Sequence, residues 1–195
     1  MSPRALPPLP EALEAEAGDE ARDLLAWEAS GRVWQAAHAL PAVAFRRQLM
    51  SLNARPSRPV MDTERRAYWR RVGAYLYPQL RDVATGERGP VATREDPARV
   101  LVFYGFPNLG TGARDPVNLS GVTKALVDGL VDGPHRPAGA APSGLAADDH
   151  AGLIVGQDSR RLATRTPPGQ VLVLVTVQGG APREAGGGLR PDPSR

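Results

Sequence analysis

Lys124 is the only lysine in a chain whose other long cationic side chains are all arginine. Asp128 follows four residues later. That spacing sets two side chains on one flank of a helix, where they meet each other or share a ligand. An ammonium is a compact, mobile point charge and a guanidinium is a planar fork, so the exchange of one for the other here is chemically pointed. Residues 114–130 around the pair read as a helix. Asp115 is suited to cap it, and Pro116 to occupy its first position, where no N–H is needed. Val122, Leu126 and Leu130 repeat every four residues as a buried stripe. Further on, Asp148 and Asp149 precede the apolar run Leu153-Ile154-Val155. A few carboxylates of this kind suit Mg²⁺, which keeps several waters and can position one for attack on a phosphodiester. Plainer readings stand beside this one. The Lys124–Asp128 pair is also what a solvated helix face carries, and Asp148-Asp149 is also an ordinary polar turn.

A second concentration of chemistry lies upstream. Eight arginines (46, 47, 55, 58, 65, 66, 70 and 71) stand against only Asp62 and Glu64, with Tyr68 and Trp69 among them. Arginines interleaved with aromatics suit a phosphate backbone. Arg55, Arg58, Arg65, Arg66 and Arg70 are the candidate contacts there, joined by Arg114 and Asn118 beside the first aspartate. The alternative is a solvated helix face in an arginine-biased chain.

The elements that would position these groups follow from pattern. Residues 1–10 are proline-rich and read as unstructured. Residues 11–29 read as an acidic helix, with Leu13, Ala17, Ala21 and Leu24 at helical spacing and seven acids against Arg22. Such a segment could fold over the arginines and compete with DNA, or stand as a solvated extension. A short strand is expected over 43–50, then an extended stretch through Pro56 and Pro59. A helix starts at Asp62 or Thr63 and runs to about residue 83, broken near Pro78, with Tyr68, Val72, Tyr75 and Leu76 on its buried side. Residues 86–97 form a turn-rich connection. Residues 99–106 form a strand leading toward Asp115. Gly110-Thr111-Gly112 lacks the Lys-Ser/Thr of a phosphate loop and reads as a plain turn. Residues 133–147 are a flexible Gly/Pro/Ala-rich insertion, and 153–155 a short strand. Residues 170–178 are a nearly unbroken apolar strand, buried on both faces or in contact with a second copy. If the strands before Asp115 and after Asp149 are neighbours, their carboxylates converge.

Composition narrows the class. At 195 residues the chain suits one domain with extensions. The absence of cysteine excludes disulfides and cysteine-held zinc, and fits an intracellular protein without requiring one. Three scattered histidines argue against a zinc cage. No apolar run reaches spanning length, so no membrane association is expected. Net charge is only +3 but is unevenly distributed.

These residues together resemble the RusA-type Holliday-junction resolvases of phages and prophages. The resemblance covers roughly residues 43–178. It is carried by Asp115, Asn118-Leu119, Lys124, Asp128, Leu130 and the later Asp148-Asp149, with Ser51-Leu52-Asn53-Ala54-Arg55-Pro56 similar to an earlier family segment. It implies an α+β fold with a small mixed sheet and two main helices, acting as a homodimer. It divides the chain into an extension (1–30), a nuclease domain (31–178) and a disordered tail (179–195). The implied activity is a Mg²⁺-dependent endodeoxyribonuclease that resolves four-way DNA junctions by paired nicks, in recombination and repair in the bacterial cytoplasm. Asp115, Lys124 and Asp149 (or Asp148) would be catalytic, and Asp115, Asp148, Asp149 and Asp128 the metal carboxylates. One departure matters. Val117 stands where the family has a second aspartate, and Asn118 to Lys124 is about one helical turn longer than in the family. Valine cannot ligate a metal. Either the remaining carboxylates and water suffice, or metal binding is weak, or the protein binds junctions without cutting them. A protein-interaction module with no nucleic-acid role is the third reading.

Overall fold

The computed structural model describes residue 17 and residues 32–50, 59–107, 119–132, 144–146 and 152–182. They build a mixed α+β domain. β1 (Val33–Pro41) leads into a short α1 (Ala42–Arg47) and then α2 (Pro59–Leu76). A 3₁₀ turn (Tyr77–Gln79), β2 (Arg81–Asp82) and β3 (Pro90–Val91) precede β4 (Ala98–Gly105). α3 (Ser120–Asp132), β5 (Ile154–Arg161), β6 (Gln170–Gly179) and β7 (Ala181–Pro182) complete the order.

Five strands form one sheet in the order β2-β1-β6-β4-β5. β6 lies between β1 and β4 and is antiparallel to both, which explains its unbroken apolar run: Val171 to Val177 are all buried. Both of its faces are buried. β4 and β5 are the parallel pair, and α3 lies between them in sequence, as a crossover requires. β3 and β7 make a separate two-stranded ladder, so residues 181–182 are part of the fold and not of a tail.

The sheet divides its side chains by the period of two. Trp34, Ala36 and Leu40 of β1, Val100, Val102 and Tyr104 of β4, and Val171, Val173, Val175 and Val177 of β6 face the helices. Leu101, Phe103, Leu172 and Leu174 face the other way and cluster with Leu162 and Ala17. On the helical face Phe45 is a hub, edge-on to Trp69, Tyr104 and Phe106 at ring-centroid distances of 5.7, 6.0 and 5.7 Å.

Two expectations about local structure need correction. The strand placed at 43–50 is instead α1, and the strand lies earlier, over Val33–Pro41. Ala36, Ala37 and Ala39 are poor strand formers, yet nine residues of pairing with β6 outweigh their propensity. Pro41 then sits at the N-cap and the chain turns into a helix whose Phe45 is buried while Val43 faces solvent. On α2 the buried stripe is Trp69, Val72, Gly73 and Leu76, and Tyr75 is 57% exposed. The same four-residue spacing fits either side of that helix, and packing selects the tryptophan.

α2 and α3 touch backbone to backbone. A Cβ on Gly73 would collide with the carbonyl oxygen of Leu126, and one on Gly129 with the carbonyl oxygen of Arg70. Glycine in a helix interior costs about 1 kcal/mol relative to alanine, so its use at both points of approach marks a required close packing of the two backbones.

α3 is fixed to the sheet by a buried polar contact. The Tyr104 hydroxyl and Thr123 Oγ1 lie 2.9 Å apart, with both residues buried. Burial pushes the Tyr104 hydroxyl far above its ordinary pKa, with the Thr123 hydrogen bond opposing the shift, so it remains a neutral partner. Replacing Thr123 by valine keeps the shape and leaves the tyrosine hydroxyl buried without this partner. The expected loss is about 1–3 kcal/mol, measured by urea unfolding, and Tyr104→Phe/Thr123→Val together should lose less than Thr123→Val alone.

Candidate nucleic-acid interface

Lys124 lies one turn into α3, 62% exposed, with Nζ 3.4 Å from Asp128 Oδ1. The i,i+4 pairing read from sequence is present as a loose surface contact. The described part of α3 begins at Ser120, and the Asp115 cap and Pro116 read from sequence lie outside the described residues. The buried stripe is Val122, Leu126 and Leu130, joined by Ala125 and Val127. Lys124 and Asp128 are thereby turned away from the sheet.

Beside it α2 carries arginines in different states. Arg65 donates from Nε to the carbonyl of Arg47 at 3.2 Å and lies 3.7 Å from Asp62. Arg70 pairs with Asp132 of α3 at 3.1 Å, so it links the helices. Arg66 and Arg71 are exposed, as are Arg46 and Arg47 at the end of α1, and no ion pair with a described residue holds any of the four. Burial raises the Tyr68 hydroxyl and the nearby Arg71 charge partly offsets this. Tyr75 packs edge-on against His38 at 5.2 Å, and burial lowers the His38 pKa from its ordinary 6.5.

The segment after α1 joins these helices. Trp69 Nε1 donates to the carbonyl of Gln48 at 2.7 Å. The carbonyl of Met50 lies 3.4 Å from where a Cβ on Gly121 would stand. The chain therefore enters residues 51–58 beside the first turn of α3. Phe106, at the end of β4, packs on Phe45 of α1. Leu119, immediately before α3, is fully buried in the same core. Met50, Phe106 and Leu119 thus gather at one end of the sheet, the end at which α1 follows β1 and α3 follows β4.

The later flank lies elsewhere. β4 and β5 are neighbours, which meets the condition set for convergence, but they are parallel: Ala98 pairs with Ile154 and Tyr104 with Arg161. Ala146 bridges Ala92, Leu145 donates to the carbonyl of Leu130 at the end of α3, and Leu153 accepts from Ala98 at the start of β4. The residues flanking 147–151 therefore sit at the opposite end of β4 from those flanking 108–118. Thirteen residues of α3, about 20 Å at 1.5 Å each, separate the two ends. Strand adjacency alone does not bring the carboxylates together.

Of the residues singled out from sequence, Arg65, Arg66, Arg70, Lys124 and Asp128 are among those described. Arg55, Arg58, Arg114, Asp115, Asn118, Asp148 and Asp149 lie outside them, as does Val117. Among the described residues no three of His, Asp and Glu come together to hold a metal ion. Asp128, the one candidate ligand described, faces Lys124. Pattern reading passed over Gly73, Gly129 and Thr123, although two interior helical glycines were a signal for close backbone approach. Among the described residues no helix is long and apolar enough to cross a membrane. The chain matches no protein-family model and no curated protein.

Proposed function

We propose that this chain is a RusA-like, Mg²⁺-dependent endodeoxyribonuclease that acts on four-way DNA junctions, as a homodimer, in a bacterial host with a phage or prophage context. The observation that supports this reading is that α1, which ends in the exposed Arg46 and Arg47, and the start of α3, which carries Lys124 one turn in, lie at the same end of the sheet. The arginines supply sequence-independent attraction for phosphates. Lys124 is an exposed cation one turn into α3, suited to offset charge on a cleaved phosphate. Two-fold symmetry of a dimer would match two-fold symmetry of a junction.

Magnesium is the cofactor this reading implies, with Asp115, Asp148 or Asp149 and Asp128 as its carboxylates. The described residues do not build that site, since Asp128 alone is described and it faces Lys124. A second reading, a junction-binding protein that does not cut, is favoured by Val117 and by the opposite-end placement of the flanks of residues 147–151.

Lys124→Gln separates a cleavage role from a surface ion pair. The expected result is a drop in junction cleavage of roughly 10²–10³-fold with binding nearly unchanged, the size seen when one charge-stabilising donor is removed. Unchanged cleavage in a cutting protein removes Lys124 from the chemistry.

A further inference from the structure

The sheet has a second buried face that the described helices do not cover. Leu101, Phe103, Leu172 and Leu174 point away from α1, α2 and α3, and no buried residue of those helices belongs to their cluster. These side chains are nonetheless 0–2% exposed. Among the described residues, besides Leu162 on the β5–β6 connection, the cluster includes one residue from outside the sheet: Ala17, helical and fully buried. We propose that the acidic segment 11–29 is the permanent cover of this face, laid down along the apolar positions Leu13, Ala17, Ala21 and Leu24.

Three observations converge on that occupant. Ala17 is already seated in the cluster, at the middle of the stripe. The four apolar positions follow helical spacing, which is what a flat apolar sheet face accepts. On the same face, Thr176 is fully buried with its hydroxyl unpartnered, and its cross-strand neighbour Gln35 has an unpartnered buried amide nitrogen. An apolar cover offers such groups nothing to bond with, which accounts for both.

The arrangement polarises the molecule. Asp19 and Asp23 fall on the side of the helical pattern away from the stripe, so the back of the sheet carries acid while α1 and α2 carry arginine on the front. A net charge of +3 conceals this separation. The acids are held off the arginine surface instead of shielding it, and a polyanion meets the protein from the helical side only.

The test uses the full chain. Ala17→Arg should fail to fold or melt about 6 °C or more lower, with several-fold greater binding of a dye for exposed apolar surface. Ala17→Ser should fall between it and the parent. Asp19→Arg, which also adds positive charge to the same segment, should melt within about 2 °C of the parent. An Ala17→Arg protein as stable as the parent, or an Asp19→Arg protein as damaged as Ala17→Arg, overturns the cover. A melting temperature that falls steeply on dilution overturns it in favour of a second copy's segment. A separate arm rests on the DNA-binding reading: Asp19→Asn/Asp23→Asn should bind a four-way junction within about twofold of the parent, and a tenfold gain would restore the shield. The melting arm needs no DNA, so its failure is distinguishable from failure of the functional reading.

Discussion

A protein with Arg46, Arg47, Arg66 and Arg71 changed to glutamine is expected to fold normally and bind a four-way junction at least about 100-fold more weakly at 0.1 M salt. All four side chains are exposed, and none is held by an ion pair with a described residue, so their removal should cost little stability. Each arginine that neutralises a phosphate releases counterions, and replacing one such arginine should lower the log–log salt slope by about 0.9. A slope shallower by about three to four units would mean that all four touch phosphate. Arg65 and Arg70 serve as the internal comparison. Arg65 is occupied by the Arg47 carbonyl and Asp62, and Arg70 by Asp132. Arg70→Gln should therefore change affinity less than Arg66→Gln. Filter binding or fluorescence anisotropy over a salt series reads both quantities. An unchanged slope in the quadruple variant removes this surface from DNA recognition.

Gly129→Ala should destabilise the protein by about 2 kcal/mol, and Gly73→Ala by a similar amount. The sign is the informative part. Helix propensity alone would make either change favourable by about 1 kcal/mol. The added methyl, however, meets backbone in both cases: the carbonyl of Arg70 for Gly129 and of Leu126 for Gly73. A backbone carbonyl cannot move to another rotamer, so the helices must separate. Overpacking of this kind costs about 1–3 kcal/mol. Separation would also displace Lys124 relative to the arginine helix, so DNA affinity should fall with stability. Urea unfolding gives the answer, and a more stable Gly129→Ala protein would contradict the close approach.

Much of this fold was legible from pattern. The apolar runs of β4 and β6 stood out because both strands are buried on two faces and tolerate little but valine, leucine and aromatics. α3 was legible from Val122, Leu126 and Leu130. β1 was not, since Trp34-Gln35-Ala36-Ala37-His38-Ala39 has little strand propensity of its own and is held by its partner β6. Tyr75 was misplaced because helical spacing identifies a stripe but not which of two overlapping stripes the core selects. The Lys124–Asp128 pair was readable from spacing. The approach of Met50 to the start of α3 was not, because it depends on how α1 folds back through Phe45 and Trp69. Nor does sequence separation reveal that β4 and β5 run parallel, which sends the flanks of the two aspartate-bearing stretches to opposite ends.

The most direct test is incubation of the purified protein with an end-labelled four-way DNA junction, with and without Mg²⁺, beside Asp115→Asn. The expected result is paired, symmetric nicks that require Mg²⁺ and disappear in Asp115→Asn, with junction binding intact. Tight binding with no nicks under any divalent metal would contradict the nuclease reading and leave a junction-binding protein, and nicks that persist in Asp115→Asn would contradict the assignment of that carboxylate.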